Sequence, residues 1–212
     1  MEASVEDVEF NEGKFAVAGT DKEKAFAEIA LAAYVPHNYP HETLEPGLEE
    51  SAFYDPLNFT YPSGAHIAEV EVDPATGVVE VVDWAACDDF GNLINPMIVE
   101  GQIHGGLTQG LAPALFEEIS YDDEGNITGG SFMEYLVPTA VETPHWETDK
   151  TITPSPHHPI GAKGVGESPT VGAPPAIVNA VVDALSHLGV KHIDIPMTPE
   201  KVWRAIHKKE VA

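Results

Sequence analysis

The chain has 212 residues, 43% of them hydrophobic, with 35 acidic against 10 basic side chains, a formal net charge of −25 and a pI near 4.4. That length and apolar content suit one large or two small globular domains with a buried core, not a disordered chain. The charge argues against nucleic acid and anionic membranes as partners, since both demand Lys and Arg; acids spread along the whole chain suit high salt, where screening mutes self-repulsion.

Cys87 is the only cysteine, so no disulfide framework and no cysteine-built zinc or iron–sulfur site is expected within the chain. Beside Trp84, Ala85 and Ala86 it reads as a small buried hydrophobe. Met1–Asp7 has neither a basic start nor an apolar core, and no run approaches the ~18 apolar residues of a membrane span. The expectation is a cytoplasmic location without a membrane span.

Residues 5–18 read as a hairpin turning at Asn11-Glu12-Gly13. Thr20 and Glu23 have capping-box spacing and predict a helix through Phe26, Ile29 and Ala33 that ends near Tyr34, with Pro36 and Pro40 barring its continuation. Residues 36–63 (Glu42, Glu45, Pro46, Glu49, Glu50, Asp55 and Pro56 among them) show little periodicity and read as a long irregular connection. Such a stretch is uncommon in a compact domain unless it serves function or covers a partner.

From His66 to Val72 the sequence alternates, with Ala68, Val70 and Val72 on one face and Glu69 and Glu71 on the other. Asp73–Gly77 turns, Val78–Cys87 returns as a more buried strand, and Asp88–Asn92 reads as a second turn. Asn95-Pro96 is a helix start, with the asparagine as N-cap and the proline at the first position. The helix that follows holds Gly101, Gly105, Gly106 and Gly110, each costing about 1 kcal/mol against alanine. Gly101, Gly105 and Gly106 fall near one face, which points to close approach of another backbone or a flat ligand; on spacing alone, tight helix–helix packing through the glycines is the simpler account. Gln102 and Gln109 share a face, as do Gln102 and Gly106. Pro113 predicts a kink or restart before Leu115.

Ile119–Tyr135 reads as a hairpin around Asp122–Asn126, and residues 138–160 as a second irregular stretch rich in Pro and His. His157-His158 has no partnering cysteine or carboxylate spacing, so no metal-ligand set is assigned. Gly161-Ala162-Lys163-Gly164-Val165-Gly166-Glu167-Ser168-Pro169 then sets one carboxylate behind three glycines. A glycine-rich loop feeding a helix start is a ready anion pocket, and Glu167 is awkward there unless it works chemically or is simply solvated. Pro174-Pro175 predicts a helix over Ala176–His187 with Gly189 as its cap, Lys191–Ile195 a short strand, and Thr198-Pro199-Glu200 the cap of a last helix carrying Val202, Trp203 and Ile206. Hairpins alternating with separated helices give an α+β fold.

Each motif is weak alone; their order is specific. Asp88–Pro96, Val99–Gly110, Glu134–Thr139, Ser155–Glu167 and Pro174–Ala180 together resemble the C-terminal end of the molybdenum-binding large subunit of the xanthine oxidase family. The wording is nearest that of aerobic carbon monoxide dehydrogenase-type large subunits, and the resemblance runs from about Val5 to Ile206. It implies a partial molybdenum-cofactor-binding fold: residues 1–64 as an incomplete part of the cofactor-binding region, and residues 65–212 as the molybdopterin-binding C-terminal domain. Glu167 is similar to the family's active-site glutamate beside molybdenum, a base toward a metal-bound oxygen ligand, with its pKa raised in a desolvated, glycine-walled pocket.

The resemblance also places Gln109 at the metal-side oxygen or pterin, and Gln102, Gly105 and Gly106 where the helix lies against the cofactor. Lys163, Gly164, Val165 and Gly166 carry the loop toward the metal centre. It implies molybdopterin cytosine dinucleotide shared with missing upstream domains, and FAD and iron–sulfur clusters on medium and small partner subunits. Pro113 departs from the family pattern, and Cys87 is not the reactive cysteine of the carbon monoxide-oxidising members. The small-molecule substrate therefore stays open among carbon monoxide, an aldehyde and an N-heterocycle. By itself the chain is expected to be inactive, and the alternative is a non-catalytic truncated or assembly module that keeps the fold without cofactor.

Overall fold

Alternation from Val8 to Val17, broken by a turn whose Glu12 and Gly13 both take positive φ, folds as the expected hairpin. In the computed structural model, which describes residues 1–35, 37 and 40–207, the chain divides into two units, Met1–Asp55 and Pro56–Ala212. The first holds an antiparallel sheet of β1 (Val8–Asn11), β2 (Lys14–Val17) and β3 (Glu23–Ala25), followed by helix α1 (Phe26–Tyr34). The predicted Thr20 cap is overturned. Glu23–Ala25 continues the sheet, Thr20 Oγ1 bonds Val17 O inside a turn, and Glu28 receives the Ala25 N–H at the true helix start. The helix does end at Tyr34; Pro36 lies outside the described residues. Phe15 stacks on Phe26 while Phe10 lies tilted to the first and edge-on to the second, yet Val17 and Ala33 are the buried apolar side chains of this unit among the described residues.

The second unit is built on β4 (Ser63–Val72), β5 (Val79–Asp89) and β6 (Glu147–Thr151), with β5 central, antiparallel to β4 and parallel to β6. β4 alternates as predicted, with Ala68, Val70 and Val72 turned toward the core and Glu69 and Glu71 outward. Helices α2 (Pro96–Leu115) and α3 (Ser168–Ala184) pack on each other, α3 also covers β4, and α4 (Pro199–Ile206) closes the chain. Trp84, Phe90, Leu107, Leu111, Ile177, Val181, Met197 and Val202 fill one core. Asn95 caps α2 by accepting the Ile98 N–H, and Thr198 caps α4 by accepting that of Lys201. The mixed hairpins and helices are the α+β fold expected.

Several expectations fail for identifiable reasons. Asp88 and Asp89 are not a turn but the buried end of β5. α2 runs unbroken through Pro113 to Leu115. The hairpin around Asp122 shrinks to a single Tyr121–Ile127 bridge, and part of the stretch 138–160 is strand β6, recruited by the free edge of β5. α3 begins at Ser168, so Pro174 and Pro175 lie inside it; its axis is held by packing on α2 where the proline rings remove backbone donors. Lys191–Ile195 forms no strand, although Ile193 enters the core. Gly189, with φ 82°, closes a 3-10 turn after α3 instead of α3 itself. Cys87 is half-buried, because the strand turns Trp84, Ala86 and Asp88 to the core and Cys87 to the opposite face.

Candidate functional site: the glycine loop and the open face of helix α2

The loop before α3 begins as a clamp. Gly91 and Ala162 form an antiparallel bridge, Lys163 N donates to Phe90 O at 2.8 Å, and Asn92 Nδ2 donates to Ile160 O at 2.8 Å. Gly91 and Gly161 both have positive φ, and a side chain on Gly91 would strike the Gly161 carbonyl. Gly91 requires glycine because two backbones meet there, and Gly161 because its positive φ sits against the Asn92 and Pro154 side chains.

The adjoining carboxylates at the end of β5 then take different partners. Asp89 accepts from Gly91 N at 2.9 Å, Thr153 N at 3.1 Å and Lys163 Nζ at 3.0 Å. The Thr153 and Gly91 hydrogen bonds, aided by the Lys163 ammonium and opposed by desolvation, hold its carboxyl well below the usual carboxylate range. Asp88 Oδ1 accepts from Ser168 Oγ at 3.0 Å and lies 3.2 Å from His66 Nε2. The His66 ring meets Trp84 edge-on, and His66 Nδ1 and Asp88 Oδ2 are buried without a partner among the described residues.

Glu167 is the N-cap residue of α3, yet its side chain makes no cap hydrogen bond and is exposed. The desolvated pocket expected around it is not supplied by the described residues of this chain. Glu167 stands at the rim of an open cavity of about 520 Å³ that His66, Ser168, Gly172 and Asn179 help to line.

The glycines of α2 separate into two classes. A Cβ on Gly110 would lie 2.6 Å from Ala173 Cβ and 3.0 Å from Pro174 Cδ, and one on Gly106 would lie 3.0 Å from Pro169 Cβ. Both face α3. Pro174 withdraws the amide that would bond Thr170 O, and that carbonyl would lie 3.0 Å from the same Gly110 Cβ. Gly101 and Gly105 face open space instead. Gln102 and Gln109 are exposed with them, and Gln109 Oε1 accepts from Thr170 Oγ1 at 3.3 Å.

The structure therefore brings Gln102 to the loop, its Oε1 4.0 Å from where a Gly166 Cβ would stand, and leaves Gly105 and Gly164 open. It takes Gly106 into the helix interface and Lys163 into the Asp89 ion pair; Val165 packs on the core. Sequence reasoning missed His66, Asp88, Asp89 and Ser168. The signal was available: the apolar strand Trp84–Cys87 runs straight into the two aspartates with no glycine or proline between. Among the described residues no three His, Cys, Asp or Glu side chains converge as a metal-ligand group, and no helix is long and apolar enough to cross a membrane.

The sequence matches the molybdopterin cofactor-binding domain family over residues 1–144. It is 51% identical to the carbon monoxide dehydrogenase large chain of Hydrogenophaga pseudoflava over all of this chain and 26% of that protein. It is 41% identical to the nicotine 6-hydroxylase large subunit of Paenarthrobacter nicotinovorans over 97% of this chain and 25% of that one. Quinoline 2-oxidoreductase from Pseudomonas putida 86 superposes with a TM-score of 0.85 at 42% identity, covering 99% of this chain and 27% of that structure. The chain spans about a quarter of the length of the curated relatives it matches. It belongs to the molybdopterin cofactor-binding domain family and is homologous to the large subunits of xanthine-oxidase-type molybdenum hydroxylases.

Proposed function

We propose that these residues form the C-terminal part of an oxidoreductase large subunit, supplying one wall of a molybdenum-cofactor site and the base Glu167. The observation that carries this reading is the open face of α2. Gly101 and Gly105 leave space where side chains would stand, and exposed Gln102 and Gln109 flank them. A flat, polar group fits such a surface, because absent Cβ atoms admit close approach and amides offer both donors and acceptors. The residues present fit the cofactor as one wall; Gln102, Gly105, Gln109, Gly164 and Gly166 would hold it, with Gly106 acting through the helix interface behind them.

When bound, the cofactor supplies the redox-active metal for oxidation of a small molecule (carbon monoxide, an aldehyde or an N-heterocycle). Glu167 takes and returns a proton at its carboxylate. Closure by the remaining large subunit would exclude water from around that carboxylate. Molybdopterin cytosine dinucleotide is the cofactor form we favour, with FAD and iron–sulfur clusters on medium and small subunits.

A second reading has its own support. Glu167 is exposed, and Lys163 is already paired with Asp89, so nothing within these residues alone completes a reaction site. The chain would then be a non-catalytic module that keeps the fold. Molybdenum and pterin content, measured on the chain purified in high salt with its co-purifying partners, separates the two. Near-stoichiometric metal, with Glu167→Gln abolishing turnover of carbon monoxide, an aldehyde or quinoline while metal content holds, supports the first. A metal-free, partner-free chain supports the second.

A further inference from the structure

We infer that Asp88 and Asp89 act as paired anchors that fix Glu167 by holding the glycine loop at both ends, with His66 and Ser168 as positioning residues. The inference rests on the reading of Glu167 as the base and adds how that base is placed. Lys163 and Ser168 bracket Gly164-Val165-Gly166-Glu167. Asp89 holds the first bracket at 3.0 Å and Asp88 the second at 3.0 Å. Successive strand residues point to opposite faces, so β5 grips the two ends of the loop from its two sides. Two glycines inside a four-residue span would otherwise leave the carboxylate free to wander.

The Asp88 anchor is built into the core. Asp88 is fully buried, and burial of a carboxylate without donors is costly. Ser168 Oγ and His66 Nε2 both converge on Oδ1. Gly64, the ladder partner of Asp88 on β4, has no room for a Cβ beside that oxygen, and a Cβ on Gly172 would stand 2.8 Å from the His66 ring. Both glycines are vacated for the pair. The anchor then acts on the residue next to Glu167. Ser168 is the first residue of α3, and Pro169 after it fixes its own φ. With Ser168 held and Pro169 stiff, the backbone direction at Glu167 is set, while its carboxylate stays clear of its own helix.

Hydrogen–deuterium exchange on the chain, purified with the partners it carries in its host, tests this directly. Ser168→Ala should speed exchange of the Lys163 and Val171 amides, which donate to Phe90 O and Glu167 O at the two ends of the loop, about tenfold or more, leave residues 177–184 unchanged, and lower kcat with KM and metal content held. Lys163→Met should loosen the same segment from its other end, and Ser168→Thr, which keeps the hydroxyl, should restore the protection. Unchanged loop exchange in Ser168→Ala, or a rise spread evenly through α3 and β5, would overturn the proposal. Glu167→Gln separates the two readings: turnover surviving in that variant removes the base, whereas the exchange results stand or fall by themselves.

Discussion

The two faces of α2 use the same residue for opposite ends. On one face Gly106 and Gly110 are glycine because α3 leaves no room; on the other Gly101 and Gly105 are glycine with nothing beside them. The first pair is explained inside these residues, and its absence of side chains creates the helix interface. The second pair costs helix stability with no return among the described residues, as the proposed cofactor wall requires.

Substitutions should pull these faces apart. Gly110→Leu should be the most damaging, more than about 3 kcal/mol, since Ala173, Pro174 and the Thr170 carbonyl cannot all move aside; a denaturant melt near wild type would show α3 to be displaceable. Asp89→Asn, which loosens the loop standing beside the open face, should lower the melting temperature less. Its pH signature is specific. Asp89 has a folded pKa below its unfolded value, so its contribution is complete above the unfolded pKa of about 4 and is lost as pH falls from there. The variant should flatten the stability–pH curve in that acid window, and an unchanged curve would contradict the hydrogen-bond set drawn around Asp89.

Gly106→Ala should cost about 1 kcal/mol, overcrowding at Pro169 and Thr170 being partly offset by helix propensity. Gly101→Ala and Gly105→Ala should run the other way, each stabilising the chain by roughly 0.5–1 kcal/mol. In the cofactor-loaded assembly Gly105→Ala should instead reduce retained molybdenum. Stabilisation with full metal retention would mean that nothing lies against that face.

Much of the fold was legible because its signals are local. Asn95-Pro96, Thr198-Pro199 and the alternation of β4 each depend on neighbours a few residues away, and each predicted element is present. What escaped depends on distant partners. Glu147–Thr151 is polar and carries no strand pattern, and it is a strand only because β5 offers an edge. Pro174 and Pro175 read locally as a helix start and lie mid-helix instead, Pro174 against Gly110 of α2 and Pro175 at the open cavity. At the site, Glu167 and Gln102 stood out through glycine context, whereas His66, Asp88 and Ser168 looked ordinary until three elements met. The two classes of α2 glycine could not be told apart from spacing alone, since Gly105 and Gly106 are neighbours in sequence and face different ways.

The grip of Asp88 on Ser168 closes 80 residues of chain, and that of Asp89 on Lys163 closes 74. Contacts of such separation lose loop entropy before they return any energy, so they form late. A chain emerging from the ribosome can complete the β4–β5 hairpin and α2 well before Lys163 and Ser168 exist. The glycine loop should therefore order after the β4–β5 hairpin and α2 during synthesis. A nascent or clipped chain ending before Ser168 would hold β4, β5 and α2 but lack the Asp88–Ser168 contact, so the strand scaffold can exist before the backbone at Glu167 has any fixed direction.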